Sequence, residues 1–197
     1  MSAIQKNQIV VVTGLPRSGT SMMMKMLEAG GVPPLCDGQR AADSDNPNGY
    51  YEFEPVKQTK TNPGWLNQCS GKAVKMVYSL LYDLPVDRQY NVIFMRRDLN
   101  EILDSQRQML QNMDLQSGID DDRMARLFGK EIVRFRNWIA QSNHINCLEV
   151  PYNDIAGGSE QPIDHINAHL GGELNTSAMA SIVDPSLYRN RAATQAA

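Results

Sequence analysis

Residues 10–27 read VVVTGLPRSGTSMMMKML, a β-branched run followed by a glycine-bounded turn and a methionine-rich stretch. With the two residues before it, the opening run is QIVVVT over residues 8–13, rich in β-branched side chains. A strand apolar on both faces is buried on both faces, as a parallel strand with helices above and below would be. A short loop with Gly14 and Gly19 follows. Residues 20–29 then read as a helix, stopped by Gly30, Gly31, Pro33 and Pro34. A strand, a tight loop and a helix start in that order turn successive backbone N–H groups and the positive helix end toward one point, which suits an anion. The glycines allow the torsions and the close approach. Pro16, Arg17 and Ser18 form the tip, and Thr20 and Ser21 can add hydroxyl donors. An ordinary turn that happens to hold two glycines is the plain alternative; the agreement of strand, loop and helix speaks against it.

Outward from this unit, strands and helices alternate. Strands are expected at residues 73–77 and 91–95 and at residues 146–150. Asp98 opens a helix to about Leu115, with Glu101 placed as a capping-box partner. Another helix runs from Asp120 to about Gln141, with Met124, Phe128, Ile132, Phe135 and Ile139 on its inner face. A further helix lies near residues 162–170, and a short one is expected at residues 54–62. Residues 31–49 are rich in Pro, Gly, Asp and Asn and read as a long surface loop. The pattern implies an α/β fold, a three-layer αβα sandwich around a central parallel sheet, as one domain over residues 1–197.

Composition narrows the class. Net charge is −3, which speaks against a general nucleic-acid or anionic-membrane binder. Apolar runs reach only four residues, as in Ile9 to Val12, too short to span a bilayer, and residues 1–8 do not resemble a signal peptide. A cytoplasmic address is expected. The three cysteines, Cys36, Cys69 and Cys147, have no metal-ligand or disulfide spacing and are expected to be reduced and mostly buried. Met22, Met23, Met24 and Met26 are read as packing rather than a metal site.

The loop departs from the nucleoside-triphosphatase pattern. GxxxxGK[ST] requires lysine where Thr20 stands, and Arg17 is the only cation inside the loop. No acid ends the strand at residues 91–95, which runs into Arg96 and Arg97, so metal-dependent phosphoryl transfer is disfavoured. Any polyanion must be held by a local cluster of positive groups, without a metal.

In GLPRSGTS (residues 14–21) the chain resembles the 5′-phosphosulfate loop of the sulfotransferases. That family shares the P-loop kinase architecture but uses 3′-phosphoadenosine 5′-phosphosulfate (PAPS) as co-substrate. The resemblance continues in Arg97 at a strand end and Ser105 eight residues on in the next helix, the pair that grips the 3′-phosphate in the family. A weaker echo is LEVPYNDI over residues 148–155, and the likeness spans residues 8 to about 170. It implies that Gly14, Pro16, Arg17, Ser18, Gly19, Thr20, Ser21, Arg97 and Ser105 bind the nucleotide. It further implies that Arg17 sits on the bridging and leaving oxygens and Lys75 near the sulfuryl group. Arg97 is expected to be a surface guanidinium whose loss leaves the fold intact.

The acceptor, a hydroxyl or an amine, needs a base. The strand position where cytosolic members carry histidine is Val77, and His144, His165 and His169 read as surface residues away from the motifs. NPNGYYEFEP (residues 46–55) offers Glu52 and Glu54, with alternation placing Tyr51 and Phe53 on the opposite side. Asp37, with Arg40 near it, is spaced like the acidic base of the tyrosylprotein sulfotransferases. Glu52 ranks ahead of Glu54 and Asp37. Arg189 and Arg191 are candidates to close over the nucleotide. The competing readings are a nucleotide-binding module without turnover and, further off, a P-loop small-molecule kinase. The acceptor and the oligomeric state are not legible.

Overall fold

The computed structural model describes residues 3–5, 7–41, 43, 46, 49–115, 120–184, 186 and 188. Arg189 and Arg191 lie outside them. Five parallel strands form one sheet in the order β2-β3-β1-β4-β5: β1 Ile9–Gly14, β2 Pro34–Leu35, β3 Lys72–Lys75, β4 Tyr90–Arg96 and β5 Ile145–Pro151. The helices are α1 Thr20–Ala29, α2 Leu99–Asn112, α3 Asp121–Gln141, α4 Tyr152–Ala156, α5 Gln161–Leu170 and α6 Thr176–Ser181. Short 3-10 turns occupy Glu54–Gln58, Pro63–Gln68 and Tyr78–Asp83.

All six residues of β1 are buried, because its two faces feed two different cores. Val10 and Val12 point to one, with Met23, Met24, Met26 and Leu27 of α1, Ile163 and Ile166 of α5, and Met179 of α6. Ile9 and Val11 point to the other, with Val92 and Phe94 of β4, Trp65, Leu66 and Leu81 of the 3-10 turns, and Phe135 of α3. Helices thus cover both faces of a parallel sheet, the expected α/β sandwich. Among the described residues no helix is long and apolar enough to cross a membrane.

Four expectations need correction. Residues 31–49 are not loop throughout, since Pro34 and Leu35 add an edge strand against Ala73 and Val74. Asp98 does cap α2, its carboxylate accepting from the N–H groups of Asn100 and Glu101 at 2.9 and 3.3 Å. The reciprocal half of a capping box is absent, however: the Asp98 N–H goes to Asn153 Oδ1, and Glu101 turns inward to Arg97. On α3 only Phe135 is fully buried, stacked on Phe94 at 4.6 Å; Met124, Phe128, Ile132 and Ile139 stay half-exposed. Of the three free cysteines only Cys69 is buried, while Cys36 is exposed.

Candidate functional site

The carboxyl ends of β1, β3 and β4 open into one cleft of about 570 Å³, where the strand order reverses around β1. The expected binding loop forms its floor. A Cβ at Gly14 would stand 2.7 Å from the Met95 carbonyl oxygen, so only glycine lets β1 end this close to β4. Gly19 has φ 92°, and a Cβ there would meet the Tyr152 ring at 2.3 Å. Arg17, between them, holds the left-handed conformation at φ 68°, a cost of about 1 kcal/mol or more for a side-chain-bearing residue. No side chain caps α1, so its first-turn amides look into the cleft past Thr20 and Ser21. The Ser18 hydroxyl is buried in the loop without a partner among the described residues. Ser18 and Gly14 are not among the lining residues, but the uncapped helix start and the space bounded by the Tyr152 ring are features an anion would satisfy.

Both expected cations line this cleft, as does Ser105. Arg17 Nε donates to Ser105 Oγ at 2.9 Å. Arg97 NH1 donates to the Arg17 carbonyl at 3.1 Å, and the Arg97 guanidinium lies 4.6 Å from the centre of the Tyr152 ring. Arg97 is not the surface group expected. Its side chain is 7% exposed, and Nε donates at 3.0 Å to Glu101, itself 1% exposed. The other Glu101 oxygen accepts from Asn153 Nδ2 at 2.9 Å and from the Tyr188 hydroxyl at 2.7 Å. The Arg97–Glu101 pair could have been found in the sequence, because the two stand one helical turn apart. The Asn153 and Tyr188 partners could not, being set by long-range packing.

Lys75 ends β3 beside the loop, in register with Val12 of β1. Its Nζ donates to Ser21 Oγ at 3.3 Å. Burial pushes its pKa down to about 8; nearby Glu52 pulls the other way, and Arg40 adds a smaller push down. Ser21 Oγ also accepts from Asn46 Nδ2 at 2.8 Å, a contact the sequence did not suggest.

The three candidate carboxylates separate. Glu52 lines the cleft and pairs with Arg40 at 3.2 Å; the Arg40 guanidinium lies flat on the Tyr50 ring, 3.3 Å from its centre. Glu54 also lines the cleft, but it is exposed and paired with Lys57 at 2.7 Å. Asp37 is not among the lining residues. Its carboxylate accepts from the N–H groups of Glu54 and Gln39, and those bonds hold it below the usual carboxylate range. It braces the segment that carries Glu52, since its own N–H donates to the Glu52 carbonyl at 3.0 Å. The expected alternation fails at Tyr51, where φ is 50°. Tyr51 bonds Glu28 through its hydroxyl, while Phe53 lines the cleft with both glutamates. Val56, Met76, Val77 and Leu80 continue the wall with Phe53 as its apolar part, on a lining that also carries Arg40, Glu52, Glu54, Lys57 and Lys75. None of the three histidines lines it. His144 and His169 are half-buried rather than superficial, and burial lowers the His169 pKa.

No family model and no curated protein matches the sequence. Among solved structures, one described as the sulfotransferase domain from the curacin biosynthetic pathway is similar, with a TM-score of 0.50 and 13% identity. The match covers 93% of this chain and 90% of that one. At that identity the likeness is one of architecture: the two share an α/β fold.

Proposed function

We propose that this chain is a PAPS-dependent sulfotransferase, moving a sulfuryl group to a hydroxyl or amine acceptor by in-line transfer. The observation that carries the reading is that Arg17, Arg97 and Ser105 line one cleft with the binding loop. Two guanidiniums on one cleft suit a ligand that carries two anionic groups. The positions that serve ATP and magnesium in P-loop kinases hold Thr20 and Arg96–Arg97 instead. In this reading the loop from Gly14 to Ser21 holds the 5′ end, and Arg97 with Ser105 holds the 3′-phosphate. A dianion suits the rigid guanidinium fork of Arg97, which Glu101 and the Tyr152 ring orient beforehand.

Sulfuryl transfer asks the protein for alignment and charge stabilisation more than for covalent participation. The sulfur–oxygen bond to the nucleotide breaks as the bond to the acceptor forms, and 3′,5′-ADP leaves. Arg17 and Lys75 stabilise the charge on the leaving and sulfuryl oxygens. Glu52 takes the acceptor proton, and the wall of Phe53, Val56, Met76, Val77 and Leu80 seats an apolar acceptor body. Incubation with ³⁵S-labelled PAPS and a panel of alcohols, phenols and amines tests this directly. Labelled product that disappears in Arg17→Ala supports the reading; labelled PAPS left intact with every acceptor counts against it.

One observation favours a binding module without turnover: Glu52 is engaged by Arg40, and Val77 stands where a strand histidine could serve. That reading expects tight 3′,5′-ADP binding with no product on any acceptor.

A further inference from the structure

The hydroxyl of Ser21 is surrounded by donors. Asn46 Nδ2 reaches it at 2.8 Å and Lys75 Nζ at 3.3 Å, and in both bonds Ser21 Oγ is the acceptor. A serine hydroxyl has two acceptor lone pairs and one proton to give. With both lone pairs taken by N–H groups, the only capacity left is donation. Among the described residues nothing accepts that proton, and Ser21 lines the cleft at the amino end of α1. Its geometry therefore leaves the Ser21 proton for whatever occupies the cleft, and that occupant must offer an acceptor.

Asn46 belongs to the segment that also shapes the acceptor end. Its N–H donates to Asp43 Oδ1 at 2.9 Å, and Asp43 accepts from the Tyr50 hydroxyl at 2.7 Å. Tyr50 carries Arg40 on its face, and Arg40 holds Glu52. A continuous chain of contacts thus runs from Glu52 to Ser21 through Arg40, Tyr50, Asp43 and Asn46.

We infer that Asn46 is a positioning residue that forces Ser21 to act as a donor toward the 5′ phosphoryl or sulfuryl end of the nucleotide, tying the acceptor-side segment to the binding loop. The inference rests on the reading of the cleft as a nucleotide site, and it gives a role to Asn46, which opens the NPNGYYEFEP stretch but was not among the candidate site residues. Asn46 touches the loop hydroxyl, not the reacting atoms, so its effect should pass through Ser21 alone. It should also be confined to ligands that carry a group at the 5′ position.

The test is calorimetry with 3′,5′-ADP and with adenosine 3′-phosphate, which lacks the 5′ group. The proteins compared are the parent chain, Asn46→Ala, Asn46→Asp, Ser21→Ala and the Ser21→Ala/Asn46→Ala double variant. Asn46→Asp turns a donor into an acceptor, draws the Ser21 proton away from the cleft, and should weaken 3′,5′-ADP by about tenfold or more. Asn46→Ala should weaken it less, and Ser21→Ala should match the double variant because both act through one hydroxyl. Adenosine 3′-phosphate should bind all five proteins alike, which also shows that they are folded.

Unchanged 3′,5′-ADP affinity in Asn46→Asp would overturn the inference, since it would mean that the Asn46 oxygen, not its amide nitrogen, faces Ser21. Additive losses in the double variant would overturn it as well, as would a parallel loss of adenosine 3′-phosphate. Each of these results leaves the nucleotide site standing. Failure of the parent chain to bind 3′,5′-ADP at all removes the site and the inference together.

Discussion

Lys75 is the side chain whose protonation the fold most clearly controls. Burial lowers its pKa from 10.5 to about 8, so it is charged at neutral pH and loses that charge just above it. An anionic ligand favours the charged form. Affinity for 3′,5′-ADP should therefore be fullest below pH 8 and fall as pH rises toward 9, while Lys75→Met should bind more weakly and show a flatter profile by titration calorimetry. Stability runs the opposite way. Between about pH 8 and 10.5 the unfolded lysine keeps a proton that the folded one has shed, so Lys75 makes the protein more stable as pH rises through that window. Thermal melts of the parent and Lys75→Met should diverge accordingly. Glu52→Gln should cut turnover by roughly 100-fold or more with little change in nucleotide affinity, as loss of a base does. Equal loss on Glu54→Gln would move the base to Glu54. That Arg17, Lys75 and Glu52 line one cleft agrees with the loop motif, the family resemblance and the NPNGYYEFEP stretch that named them as candidates. The bracing part of Asp37 was not legible, because its bonds are to backbone N–H groups brought close by a turn.

The binding loop shows how an element can be fixed by what it cannot accommodate. Gly19→Ala would place a methyl group 2.3 Å from the Tyr152 ring and force alanine into φ 92°. The expected outcome is a loss of about 1–3 kcal/mol in stability together with lost nucleotide binding, read by denaturant melts and calorimetry. An alanine variant that binds normally would show that Tyr152 does not bound the site. The loop, α1 and the strands it joins were legible because a fully buried strand and a glycine-bounded turn leave strong local patterns. Shorter pieces were not. The two-residue β2, the 3-10 turns Pro63–Gln68 and Tyr78–Asp83 and the five-residue α4 carry too few positions to show a period, and of the short helix expected at residues 54–62 only a 3-10 turn at Glu54–Gln58 forms. On α3 the apolar stripe is real, but α2 meets its start, where Arg107 pairs with Asp121, and only Phe135, stacked on Phe94 of the sheet, is fully buried.

Four parts of the chain meet around Glu101: the end of β4 through Arg97, its own helix α2, α4 through Asn153, and the C-terminal segment through Tyr188. The 1% exposed carboxylate depends on these partners for its charge to remain buried. Arg97→Ala should therefore destabilise the protein by about 3–5 kcal/mol, because it strands Glu101 without its cation. A melt unchanged by that substitution would show the pair to be as dispensable as an exposed one. For the same reason Arg97→Lys, which keeps the charge and loses the planar fork, is the better probe of ligand recognition. The parallel sheet covered on both faces follows from alternating strands and helices, whereas the strand order came from the structure and the closure around Glu101 depends on contacts across more than 80 residues, which no local pattern records. The proposed transfer requires a ligand gripped at two anionic groups. Calorimetry with 3′,5′-ADP against ADP on the parent chain measures this most directly. A preference of about tenfold or more for 3′,5′-ADP, reduced in Arg97→Lys, is the expected result. Equal affinities would contradict it.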